Sequence, residues 1–171
     1  GTLGVAGAAY SGLQSLRYQL SNIYDFMLIP IVAIGNADTA LADTQYLFEN
    51  LNEVTGEEQS KSLESIQASN KLADDTMTRY ETDWVTTVSP EFTQALKEAG
   101  KLELQQQEIA AMESSRATFD AYKAASEKYL ATVQAGRPDD NLANDAIGKL
   151  GSARANLQIL IEINNEYADF S

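Results

Sequence analysis

Histidine and cysteine are both absent from this 171-residue chain. Their absence excludes thiol nucleophiles, Ser-His and Cys-His catalytic pairs, thiolate or imidazole zinc sites, and histidine-ligated haem or di-iron centres. It also leaves no disulfide framework, which fits an exported bacterial domain as well as a cytosolic one. Cations are scarce: 12 Lys and Arg against 25 Asp and Glu give a net charge of -13. A field of that sign repels phosphate backbones and anionic headgroups, so no nucleic-acid partner is expected. No apolar run reaches the ~18 to 20 residues of a spanning helix, and no basic leader with a cleavage site opens the chain. Phosphate-cradling glycine loops, GxSxG elbows and basic aromatic stripes are missing too. Adjacent acids such as Glu57-Glu58, Asp74-Asp75 and Asp139-Asp140 diverge on a helix, so they form no acid-base dyad. No enzymatic activity, no metal and no cofactor are therefore expected.

Punctuation is sparse as well, with three prolines and ten glycines, and the long stretches between them carry helical periodicity. The length fits one domain over 1–171. A first seam runs Leu13, Leu16, Leu20, Ile23, Met27, Pro30, Ile34, Ala37, Leu41, Thr44, Phe48 and Leu51, predicting a helix over 8–53 that kinks near Pro30, which lacks an N–H and crowds the preceding turn. Thr55 with Glu57 and Glu58 reads as a capping box opening a second helix over 56–88. Its seam is Leu63, Ile66, Asn70, Ala73, Met77, Tyr80, Trp84 and Thr87. Ser89-Pro90 closes it and opens a third helical region over 90–135, with a break at Gly100. Met112, Ser115, Phe119, Tyr122, Ser126, Tyr129 and Val133 form the third seam, which stops at Gly136 and Pro138. The last helix, 139–170, opens on Asp139-Asp140, suited to the helix dipole. It carries Ala143, Ala146, Leu150, Ala153, Leu157, Leu160, Asn164 and Tyr167, with Ile147, Ile159, Ile161 and Ile163 off the main seam. A helix apolar on more than one face packs against a second subunit or approaches a membrane. The fold class expected is all-α, an antiparallel up-down-up-down four-helix bundle with long helices.

Ile23-Tyr24-Asp25-Phe26-Met27-Leu28-Ile29-Pro30-Ile31 resembles a signature in the first helix of the periplasmic four-helix-bundle sensor domain of bacterial methyl-accepting chemotaxis receptors. Leu157-Gln158-Ile159-Leu160-Ile161-Glu162-Ile163-Asn164-Asn165-Glu166-Tyr167-Ala168 is similar to the end of that domain's fourth helix. The resemblance implies a periplasmic, homodimeric sensor in a transmembrane receptor of the inner membrane. Ligand binding would displace the last helix relative to the first and pass a signal through membrane helices, of which Gly1 to Ala9 would be the outer end. The same bundle also precedes histidine kinases and diguanylate cyclases. The ligands implied are a small organic acid, an amino acid or an aromatic acid, or else a periplasmic binding protein as partner. A structural helical bundle without a small-molecule ligand is the alternative of a different class.

Family members hold ligand near the distal pole with arginines of the first helix, but Pro30 to Asn52 contains no Arg or Lys. Two other placements present themselves. At the dimer interface, Tyr46 and Asn50 would face Lys149, Arg154 and Asn156, where an arginine fork suits a carboxylate; otherwise these residues are solvated surface. Inside one bundle, Arg79 and Arg116 fall at similar depth, about 30 to 36 Å from the distal turns by helical rise. With Tyr80 and Phe119 they would wall a cavity; otherwise they snorkel outward or pair with Glu81, Glu113 or Asp83. Trp84, Tyr122 and Tyr129 read as core or as an aromatic cage. Asn70 and Asn164 read as register-setting amides or as ligand contacts, and Gly35, Gly148 and Gly151 as points of close helix approach.

Overall fold

The computed structural model describes residues 31–85 and 90–168, and every regular element among them is helical. The expected course of the first helix over 8–30, its kink at Pro30, the end of the second helix at 86–88 and the last residues 169–170 lie outside the described residues. So does the side chain of Trp84. The first described helix, α1, covers 31–50. It is followed by α2 (Gly56–Arg79), a π-helical segment (Tyr80–Val85), α3 (Pro90–Glu98), α4 (Leu102–Gln134) and α5 (Asp140–Ala168). Among the described residues no helix is long and apolar enough to cross a membrane.

The seams read from periodicity are the buried faces. Ile34, Ala37, Leu41, Thr44, Phe48 and Leu51 of the first, Ile66, Asn70, Ala73, Met77 and Tyr80 of the second, and Met112 through Val133 of the third are all buried. So are the eight seam positions of α5 from Ala143 to Tyr167. These faces meet in one continuous apolar core. Its aromatic centre joins α1 to α4: the Phe48 ring lies 5.6 Å from Tyr129 and 6.4 Å, edge-on, from Tyr122, with Phe119 5.9 Å from Tyr122. Offset and edge-on pairs of this kind each add about 0.5–1.5 kcal/mol beyond the area they bury. Tyr122 and Tyr129 are therefore core residues rather than the lining of an open cage.

Hydrogen bonds between helices fix their neighbours and directions. Going up α2 from Asn70 through Asp74 to Tyr80, the α4 partners descend from Ser126 through Lys123 and Arg116 to Glu108. Going up α1 from Asp38 to Asn52 at its end, the α5 partners descend from Gln158 and Arg154 to Asp140. Both pairs thus run in opposite directions. Asn156 of α5 reaches Thr118 and the Ser114 carbonyl of α4, and among α2 to α5 these two helices make the most extensive contact.

The helix ends follow their local chemistry. Gly100 and Gly136 have φ of +70° and +74°, a region open to glycine because it lacks Cβ. Each ends a helix with a six-to-one backbone bond, Lys101 N–H to the Leu96 carbonyl at 2.7 Å and Arg137 N–H to the Thr132 carbonyl at 2.9 Å. The break at Gly100 is thereby the boundary between α3 and α4. Asp139 caps α5 through Oδ1, which accepts from the amides of Asn141 at 2.9 Å and Leu142 at 3.1 Å. Thr55 differs from the expected capping box: it occupies the cap position but its hydroxyl makes no cap bond. Gly56 follows it with φ +60°, which turns the first amides away from the geometry a box requires. Gly35, Gly148 and Gly151 also differ from expectation, since a Cβ built at each meets no neighbour within 4 Å. Among the described residues no helix approaches them.

Phe119→Ala should lower the unfolding free energy by about 3–5 kcal/mol, Asp139→Ala by about 1 kcal/mol, and Ile159→Ala, 44% exposed, by no more than about 0.5 kcal/mol. Urea unfolding checks the ranking; similar losses at Phe119 and Ile159 would contradict the core as drawn.

Candidate functional site

Polar side chains cross between helices at several places along their length. The most buried is a junction of three elements. Tyr80, first residue of the π-helical segment, donates its hydroxyl proton to Glu108 Oε2 of α4 at 3.1 Å, and Asn164 of α5 donates to the same hydroxyl oxygen at 2.9 Å. Glu108, Tyr80 and Asn164 are each 1% exposed. Burial pushes the Glu108 carboxyl up to about 7, against the opposing effect of the Tyr80 hydrogen bond. Burial and the nearby Glu108 charge likewise push the Tyr80 and Tyr167 hydroxyls far above the ordinary phenol range. The Asn164 amide donates its second proton to the Leu160 carbonyl at 2.8 Å, while its Oδ1 is buried without a hydrogen-bond partner.

A second buried level lies nearer the start of α2 and the end of α4. Asn70 donates to Ser126 Oγ at 3.0 Å and accepts from the Tyr122 hydroxyl at 2.6 Å. Outside it, Arg116 donates to Asp74 at 2.7 Å and Thr78 at 2.8 Å and pairs with Glu81 and Asp120 at 3.5 Å. Burial raises the Asp74 carboxyl, but the hydrogen bonds from Arg116 and Lys123 outweigh it and hold that carboxyl below its ordinary range. On the other side of the molecule, Arg154 of α5 pairs with the buried Asp38 of α1 at 3.1 Å, and Gln158 donates to the same carboxylate at 2.7 Å.

The nine residues singled out from the sequence fall into this frame as follows. Tyr46 is 68% exposed, and the Asn50 amide bonds back to its carbonyl. Lys149 pairs along its own helix with Asp145 at 3.0 Å, Arg154 crosses to Asp38, and Asn156 turns to α4. Within one chain these five are not brought together. Arg116 does stand level with Arg79, since its partners span Asp74 to Glu81, but Arg79 pairs with Asp83 at the surface while Tyr80 and Phe119 are interior. Of the nine, Asn156 lines one of two open depressions among the described residues, and none of them lines the other. One of about 350 Å³ between α2 and α4 is lined by Gln67, Asn70, Lys71, Asp74, Lys123 and Glu127. One of about 440 Å³ between α4 and α5 is lined by Ser114, Asn156, Ile159, Glu162 and Ile163 among others.

Sequence reasoning missed Glu108 and Asp38. Glu108 was within reach of it, because continuing the α4 seam back by one helical turn from Met112 lands on this residue. No such signal marks Asp38, which adjoins Ala37 on the seam's flank. Among the described residues no group of three or more acidic side chains is placed to hold a metal ion. Compared with known proteins, the chain matches no family model, no curated protein and no solved structure.

Removing one partner of a buried pair leaves the other charge desolvated. Arg154 is one-third exposed, which moderates the effect, so Arg154→Ala should cost about 1–3 kcal/mol of stability. Adding Asp38→Asn should recover part of it. Chemical unfolding of the three variants checks this; no recovery in the double variant would contradict the pairing.

Proposed function

We propose that this chain is the extracytoplasmic ligand-sensing domain of a bacterial transmembrane receptor of the chemotaxis type. In this reading α1, α2, α4 and α5 form an antiparallel up-down-up-down four-helix bundle that works as a homodimer in the periplasm. The domain binds a small organic anion, such as an organic acid, amino acid or aromatic acid, or a periplasmic binding protein, and catalyses nothing. It signals by displacement of α5 along α1.

The observation that carries this reading is the Asp38–Arg154–Gln158 bridge, which joins the two helices that would move. Asp38 accepts from Arg154 at 3.1 Å and from Gln158 at 2.7 Å, one helical turn apart on α5. A piston shift of an ångström or two would lengthen one bond and shorten the other, giving α5 two nearby resting positions. The resemblance of Ile23–Ile31 and Leu157–Ala168 to chemoreceptor helices supports the same assignment, as does the exposed apolar side chain of Ile159 on α5; Ile161 and Ile163 are taken up by the core.

A second reading, a helical bundle with a structural role only, is favoured by one observation: Arg116 and Arg154 are both already engaged by carboxylates. A ligand anion must therefore displace Asp74 or Asp38 to reach them.

A thermal-shift screen of the purified domain against organic acids and amino acids separates the two. A ligand that prefers the folded state raises the midpoint by mass action, by about 2.7 kcal/mol of stability at a hundred times its Kd. The sensor reading expects a hit whose effect weakens in Arg154→Ala and which shifts the monomer–dimer balance in sedimentation. No hit, in monomer or cross-linked dimer and with or without candidate binding proteins, would leave the structural reading.

A further inference from the structure

Glu108 stands in an environment that does not suit a charge. It is an acidic residue at 1% exposure, and among the described residues no cation pairs with it; Tyr80 supplies its hydrogen bond. A buried carboxylate of this kind normally requires two or three donors or a counter-ion. Beside it in the same junction, the Asn164 Oδ1 has no donor among the described residues. The junction thus holds a carboxylate with one hydrogen-bond donor and an amide oxygen with none, and one added proton gives Glu108 a donor while its other oxygen still accepts from Tyr80.

The other groups around it leave that position open. Tyr80 from the π-helical segment and Tyr167 from α5 are the titratable side chains that interact with Glu108, and both hold their protons through the neutral range. Asp38 of α1 is engaged by Arg154, Arg116 of α4 by Asp74, Glu81 and Asp120, and Arg79 of α2 by Asp83. Glu162 and Glu166 of α5 and Lys97 and Glu98 of α3 are exposed.

The helix is irregular at this point. The α-helical hydrogen bonding of α2 gives way to a π-helix at Tyr80, the residue that reaches Glu108. The π-helical i→i+5 bond closes over one residue more than the α-helical one, and such turns are rare, occurring mostly as single turns within α-helices and often at functional sites. Ionising Glu108 strengthens its bond from Tyr80 but leaves an uncompensated charge in a dry junction, which makes water entry around that contact favourable.

We propose that Glu108, together with Tyr80 and Asn164, is a proton-binding site whose occupancy sets the packing of the π-helical segment Tyr80–Val85 against α4 and α5. With the proton bound, the junction is dry and the segment π-helical. Once the proton leaves, the junction admits water and the segment relaxes toward α-helical register. A proton site at this level operates whatever ligand the outer part of the helices takes.

The composition makes the test clean. With no histidine and no cysteine, the chain lacks the side chains that ordinarily titrate near neutrality; beside a perturbed carboxyl, only an α-amino group does so, near 7.7–8.0. The lone tryptophan, Trp84, falls inside the π-helical segment and reports on it. Because Glu108 binds its proton more tightly folded than unfolded, its stabilising effect is complete below about 4.5 and is lost as pH rises through about 7. Across that window the unfolding constant should rise by up to about tenfold per pH unit.

The experiment is a pH titration of Trp84 emission, with helix content followed by circular dichroism, on the wild-type domain, Glu108→Gln and Tyr80→Phe. The site predicts a one-proton transition near pH 7 with helix content retained, no transition in Glu108→Gln, and a transition moved upward in Tyr80→Phe, which loses a bond favouring the ionised form. A carbon-13 titration of the Glu108 carboxyl in the wild-type protein covers the case in which a variant fails to fold. Flat wild-type emission, an unchanged midpoint in Glu108→Gln, a downward shift in Tyr80→Phe, or a Glu108 carboxyl titrating in the ordinary glutamate range would each overturn it.

Discussion

The constraint on which this structure depends is that polar atoms placed between helices have to meet partners there. An unsatisfied buried donor or acceptor costs about 1–3 kcal/mol, a large part of a domain's net stability. Two levels of such contacts cross the interior, Asn70 with Ser126 and Tyr122, and Tyr80 with Glu108 and Asn164. Apolar seams alone tolerate sliding by a heptad, because leucine and alanine pack acceptably in several registers. A slide would break the cross-helix bonds of both polar levels at once, so these bonds select the observed register even though Asn164 Oδ1 stays unpaired among the described residues. The aromatic contacts of Phe48 with Tyr122 and Tyr129 extend the same register to α1.

The charged residues repeat this arrangement at the surface. Arg116 joins α4 to α2 through Asp74 and Glu81, and Arg154 joins α5 to α1 through Asp38. Exposed ion pairs contribute little, but these two are half-buried and each receives a further polar contact, from Thr78 and Gln158 respectively. In a chain with so few cations, the arginines between helices hold the helices together. An anion at either arginine would have to displace a carboxylate that belongs to the neighbouring helix, Asp74 or Asp38.

Much of this was legible in the sequence because burial follows helical spacing. The seam positions described in α1, α2, α4 and α5 are the buried ones, apart from the half-buried Leu63, and Gly100 and Gly136 end helices where expected. Asn70 and Asn164, read as polar seam residues, are the amides at the two buried levels. The failures have local causes. Thr55 loses its box to the backbone turn at Gly56, and no neighbour among the described residues comes within 4 Å of a Cβ at Gly148 or Gly151. The pairing of Arg79 with Asp83 and of Arg116 with Glu81 was among the expected alternatives; the buried polar contacts escaped because each joins residues tens of positions apart, and the pattern within one helix carries no information about its partner. Glu108 continues a seam, yet an acidic residue among apolar ones reads as the seam's end until Tyr80 and Asn164 are seen beside it.

A double-mutant cycle at Asn70 and Tyr122 tests most directly whether buried polar contacts set the register. Their side chains meet at 2.6 Å. Tyr122→Phe and Asn70→Leu should each destabilise the domain in urea by about 1–3 kcal/mol, because each leaves a buried group unpaired. The double variant should lose less than the sum, with a coupling of at least about 1 kcal/mol. Strictly additive losses would mean that the two side chains do not meet and that the register is set by the apolar seams alone.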